Sequence, residues 1–191
     1  WLAAEITSYR PEVSCAHTWW GQSLRLEEAL LFGEPLLGLN VDFEKAFDRL
    51  PTHILLELAK ELGMPTGVLN AMSAMYGQLT RHWKIGPFAG EAFSASNGIL
   101  QGCPVSVTLL NMLIHIWVQT VKHEAPGCVP AEFADDLGVN AKTIHDLAQG
   151  FDLTSEFADM TGMKIGTGAG KSCCWATEAR ERNQLREHFQ G

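Results

Sequence analysis

Three aspartates and one lysine carry most of the chemistry open to this sequence. Asp42 ends a short apolar run, LLGLNVDF, and Asp135 and Asp136 sit side by side in VPAEFADDLGVNA, where two apolar runs flank the acidic pair. If the segments bearing them are neighbours in one sheet, three carboxylates crowd one point. Like charges held that close raise one another's pKa and oppose folding unless cations neutralise them. Hard oxygen ligands with open positions suit Mg²⁺, with Mn²⁺ a possible replacement, since such an ion keeps waters and takes phosphate oxygens as further ligands. Two ions roughly 3.5 to 4 Å apart would activate an attacking hydroxyl and stabilise a leaving pyrophosphate. An isolated Asp-Asp is more often a solvated turn, so the pair alone decides nothing.

The lysine lies in MKIGTGAGKS, residues 163–172, which ends in Gly-Lys-Ser like a phosphate-binding loop. Such a loop needs four residues between its first glycine and the Gly-Lys pair, but Gly166 and Gly170 have three between them. No aspartate follows Ser172 to serve a nucleotide-bound Mg²⁺. The glycines therefore predict an elongated hairpin turn between short strands at 163–165 and 172–176.

The elements that must position these groups follow from apolar periodicity and punctuation. A helix is predicted over 19–32, capped by Gly33, and a buried strand over 36–43 delivers Asp42. Pro51 opens a helix stopped by Gly63, and Pro65 opens another through Val68, Leu69, Met72 and Met75. Residues 81–96 predict a hairpin, 104–122 a long core helix, 129–141 a hairpin with Asp135 and Asp136 at its turn, and 143–161 a helix capped by Gly162. A polar helix ends the chain. Strands and helices mix without regular βαβ alternation, so the fold class is α+β, a mainly antiparallel sheet with helices on one face.

With 191 residues, 46% apolar and 19% charged, we expect one globular unit. The run within 105–121 is interrupted by Ser106, Thr108, Asn111, His115, Gln119 and Thr120, which suits a buried helix better than a lipid-facing one. Five cysteines without a C-x-x-C spacing argue against a disulfide framework or a zinc knuckle, and lead us to expect an intracellular, reducing setting. His115, among apolar residues, reads as a core histidine. A net charge of −8 opposes extensive phosphate contact, since Lys and Arg must supply it. Arg180, Arg182 and Arg186 cluster near the end.

Three ordered motifs change the weight of the aspartates. DFEKAFD at 42–48, GILQGCPVSVTLLN at 98–111 and FADD at 133–136 resemble the palm motifs of reverse transcriptases, most of all those of non-LTR retrotransposons, and the resemblance covers roughly residues 36–175. It implies a ferredoxin-like palm and an RNA-directed DNA polymerase using two Mg²⁺ ions, an RNA template, a DNA primer and deoxynucleoside triphosphates, with no membrane. Asp42, Asp135 and Asp136 would be the catalytic, metal-binding carboxylates, with Phe43 offering its backbone. Phe47 matches the aromatic that blocks a ribose 2′-hydroxyl, and Gln101 and Gly102 match the turn that approaches the incoming nucleotide and templating base. Lys171 would protonate or steady the leaving pyrophosphate.

The same resemblance divides the chain into 1–35, partial fingers or a linking helix; 36–176, the palm; and 177–191, a terminal helix leading towards a thumb that is missing, as most of the fingers are. The chain looks cut from a longer one. Leu100 and Val107 depart from the residues many relatives carry, as does Gly166, where relatives generally show Asn. A viral RNA-dependent RNA polymerase is chemically adjacent, but Ala134 and Phe47 speak against it. A degenerate, noncatalytic palm acting as a nucleic-acid or protein binding module is the alternative of another class.

Overall fold

Leu37, Leu39 and Val41 alternate with Gly38 and Asn40, and this period of two gives the central strand one apolar and one small or polar face. The computed structural model describes residues 2–189; residues 1, 190 and 191 of the expected end pieces lie outside the described residues. Its elements run α1 (Cys15–Phe32), β1 (Leu37–Val41), α2 (Ala46–Arg49), α3 (Thr52–Glu61), α4 (Thr66–Gly77), β2 (Arg81–Ile85), β3 (Phe88–Phe93), α5 (Pro104–Glu124), β4 (Cys128–Phe133), β5 (Asp136–Ala141), α6 (Ile144–Thr161), β6 (Cys173–Ala176) and α7 (Ala179–Phe189). The main sheet is antiparallel in the order β4-β5-β1-β6, and β2 with β3 forms a separate hairpin. This is the expected α+β fold.

Register sorts the side chains. Leu37, Leu39 and Val41 pair with Ala141, Val139 and Leu137, and all six are buried in the core. On this face lie α5 and α6, whose Trp117 donates its indole N–H to Thr154 Oγ1 at 3.1 Å. Among the described residues α5 alone is long and apolar enough to cross a membrane, and it is largely buried inside the protein. Gly150 is what lets α6 close in, because a Cβ there would lie 2.9 Å from Val139 Cγ1.

The opposite face carries Gly38, Asn40, Gly138, Asn140 and Trp175, and α1 is an addition on that side: Gln22 Oε1 accepts from Asn140 Nδ2 at 2.8 Å, and Thr18 Oγ1 donates to Glu132 O at 3.4 Å. α1 begins four residues before its predicted start and ends at Gly33 in the left-handed conformation, as its sequence indicates. Gly162 caps α6 in the same way. All five cysteines are free.

Two expectations are corrected. Residues 163–165 form no strand; Ile165 alone bridges Phe43, flanked by bonds from Gly166 N to Asp42 O and from Glu44 N to Lys164 O, both 2.8 Å. Nor are 163–165 and 172–176 the two arms of a hairpin. Both run antiparallel to β1 and its extension on the same edge, so the glycine-rich stretch is a bulged excursion within one interrupted strand. Ser172 N donating to Gly166 O at 3.1 Å closes its base.

A candidate active site at the end of the central strands

The β1–β5 register, continued one residue past Val41↔Leu137, sets Asp42 opposite Asp136. Both then face the side of Asn40 and Gly138. Asp135 occupies the two-residue turn with Ala134, whose φ of 59° is the left-handed conformation that a tight link between β4 and β5 demands. Ala134 is also buried, so a small side chain suits the turn twice over.

Asp42 is gripped through its backbone. Its N–H donates to Ser172 Oγ at 3.1 Å and its carbonyl accepts from Gly166 N at 2.8 Å, which fastens the glycine loop to the end of β1. A Cβ at Gly166 would lie 3.1 Å from Asp42 Oδ2 and 3.2 Å from Asp42 O, so glycine is what allows the approach. The loop brings Lys171 Nζ to 2.9 Å from Asp42 Oδ2. Oδ2 is buried, and among the described residues no group besides that ammonium meets it.

The charges feel one another. Burial first, then the carboxylates of Asp135 and Asp42, push the Asp136 pKa up, and Lys171 partly offsets them. The ammonium of Lys171 is held above its ordinary pKa chiefly by its contact with Asp42. The expectation that three carboxylates crowd one point is met only in part: among the described residues, no group of three or more His, Cys, Asp or Glu side chains gathers closely enough to hold a metal ion. Lys171 supplies the neutralising charge instead. A hard oxygen pair in register, one oxygen of it buried and unsatisfied, nevertheless fits a divalent cation.

The other expected residues fall into two groups. The Phe43 side chain is in the core, and the bonds flanking its bridge belong to Asp42 and Glu44, so its carbonyl stays out of that pairing. Phe47 lies in α2, half-buried against the core, where its carbonyl accepts from Ile99 N at 2.7 Å; Gly98 N donates to Leu50 O at 2.8 Å. These two bonds tie the turn carrying Gln101 and Gly102 to the segment after Asp42. Gly102 has φ 81°, and no atom lies within 4 Å of where its Cβ would be. A cleft of about 720 Å³ opens from Asp42, Asp136 and Lys171 between the sheet and α1, past Trp19, Gln22 and Trp175. Phe47, Gln101 and Gly102 do not line it.

Several polar residues prove structural. Ser106 Oγ lies 2.8 Å from the Tyr76 hydroxyl, and Asn111 exchanges hydrogen bonds with Ser8. His115 accepts the Ala3 N–H at 3.1 Å. Lys164 pairs with Glu44 at 2.9 Å. Sequence reasoning missed Ser172 as the clamp on Asp42, and Glu132, buried beside the acidic turn, where it accepts from Thr7 N, Ser8 N and Ser8 Oγ. A charged residue at an inward position of an apolar strand was the available signal for Glu132.

The family model described as reverse transcriptase (RNA-dependent DNA polymerase) matches residues 3–176. The chain is 27% identical over 156 residues to the retrovirus-related Pol polyprotein from type-2 retrotransposable element R2DM of Drosophila melanogaster, covering 74% of this chain and 15% of that one. The chain thus spans about a seventh of that relative's length. Among solved structures it is similar to telomerase from Candida tropicalis, in complex with a fragment of telomeric RNA, with a TM-score of 0.66 at 14% identity over 91% of this chain and 30% of that one. Telomerase from Candida albicans gives a TM-score of 0.62 at 14% identity, over 91% and 31%. At that identity the likeness is one of fold, and the fold is that of a reverse transcriptase palm.

Proposed function

The chain belongs to the reverse transcriptase family, of the non-LTR retrotransposon kind, and from that premise we propose that it is the palm of an RNA-directed DNA polymerase, adding deoxynucleotides to a primer 3′-hydroxyl on an RNA template. The observation that carries this reading is the register that sets Asp42 opposite Asp136, with Asp135 in the adjoining turn. Asp42, Asp135 and Asp136, with the Phe43 carbonyl, would hold two Mg²⁺ ions, or Mn²⁺ in their place. Bound there, such ions lower the pKa of the attacking hydroxyl and offset charge on the leaving pyrophosphate.

The chain's own groups do the positioning. Ser172 and Gly166 hold the Asp42 backbone, and the bonds from Gly98 and Ile99 hold Phe47 beside the Gln101 turn, where its ring would exclude a ribose 2′-hydroxyl. Lys171 would meet the leaving pyrophosphate. A second reading, a noncatalytic binding module, is favoured by the absence of a gathered three-carboxylate group among the described residues. Primer extension on an RNA template with Mg²⁺ and deoxynucleotides separates the two. We expect incorporation by the wild type and a loss of at least about 100-fold in Asp135→Asn. No aspartate-dependent incorporation, even from a longer chain that includes these residues, leaves the binding module standing.

A further inference from the structure

We propose that Lys171 is a stand-in cation for the Asp42 carboxylate, so that its ammonium and a divalent ion compete for Oδ2 and arrival of the ion releases the lysine from the strand end. The identity of the ion rests on the polymerase reading above; the competition rests on the geometry alone.

Three observations carry it. Lys171 Nζ lies 2.9 Å from Asp42 Oδ2, a buried oxygen that no other group among the described residues meets, so a cation arriving there takes the place of the ammonium. The Lys171 side chain is 53% exposed, so its ammonium has solvent to retreat into. The loop is fastened to Asp42 by Ser172 Oγ and Gly166 N, both independent of the lysine side chain, so Nζ can leave while the loop stays. An ion pair exposed to that degree is weak, and a doubly charged ion between Asp42 and Asp136 outcompetes a single ammonium. The lysine is thereby freed as the site becomes loaded.

The test uses the 191-residue chain and Mn²⁺ alone, its binding followed by electron paramagnetic resonance. Lys171→Met, with Lys171→Gln as a second variant, is expected to bind Mn²⁺ about three- to fivefold more tightly than wild type, the size of a competing exposed ion pair. In wild type, reaction of Lys171 with an amine-acylating reagent, read by mass spectrometry against Lys60, is expected to rise several-fold on adding Mn²⁺; in Asp42→Asn it is high throughout. Unchanged or weaker Mn²⁺ binding in both lysine variants, or labelling of Lys171 indifferent to Mn²⁺, overturns the proposal. Competition without primer extension would remove only the polymerase reading, and extension without competition only this inference.

Discussion

Glu132 is 1% exposed, and its partners are two backbone N–H groups and the Ser8 hydroxyl. Burial, the largest influence, raises its pKa above the ordinary carboxylate value despite those donors. The folded chain therefore keeps this proton to higher pH than the unfolded chain does. The stability it contributes is fully present below the unfolded pKa and is lost as pH rises through the raised, folded one. Urea midpoints measured from about pH 4 to about pH 7 should decline in wild type more than in Glu132→Gln, which has no proton to lose. Parallel declines would show that the group does not titrate across the transition. At the same scale, Phe47→Ala should cost about 1 to 2 kcal/mol of stability, because the ring is only half-buried against the core. If the ring also walls off the sugar, the variant will incorporate ribonucleotides more readily while retaining deoxynucleotide addition; an unchanged sugar preference removes that role.

The sheet is built around a close approach that sequence periodicity does not reveal. Gly38 pairs with Trp175, and a Cβ on Gly38 would fall 2.2 Å from the indole ring. Trp175 therefore lies flat over the central strand and helps wall the cleft that begins at Asp42. Gly38→Ala must expel the ring or spread β1 from β6, at a cost of about 1 to 3 kcal/mol. Thermal denaturation with tryptophan emission reads both: a lower midpoint and a shifted spectrum are expected, and a variant with neither change would mean the ring has room to yield. The interrupted strand beside it explains why the glycine stretch misled sequence reasoning. A bulge and a hairpin turn need the same permissive residues, and only the pairing partner distinguishes them.

Across the whole molecule, negative charge is managed locally. Of 14 Lys and Arg residues, six pair with carboxylates among the described residues, and Arg182 directs its guanidinium to the carbonyls of Ala176 and Thr177. Half of the 14 are thus engaged, and the net charge of −8 opposes the approach of phosphates to the rest. Single-stranded RNA should bind this chain with a shallow salt dependence, about two phosphate contacts and under about tenfold weakening between 50 and 200 mM salt. A loss of several hundredfold would contradict that picture. The exposed apolar side chains of α1, among them Trp20, Leu24, Leu30, Leu31 and Phe32, are a second consequence of scale, since a helix that buries only Ala29 gains little from its contact with the sheet.

Local order was legible in the sequence. Gly33 and Gly162 mark helix ends, Pro104 opens the core helix, and alternation about Asp135 and Asp136 announces a hairpin, because caps, turns and side-chain periodicity depend on residues close along the chain. The three motifs likewise carried the family and the aspartates to be considered. Which carboxylates meet was decided by tertiary structure alone. Asp42 and Asp136 are 94 positions apart, and only the β1–β5 register sets them opposite one another, where a slip of one residue would turn them to opposite faces. The same holds for Lys171, whose place on Asp42 depends on a loop seated by Ser172 and Gly166. Pairing across the chain is fixed by the burial of whole faces, which no short motif contains.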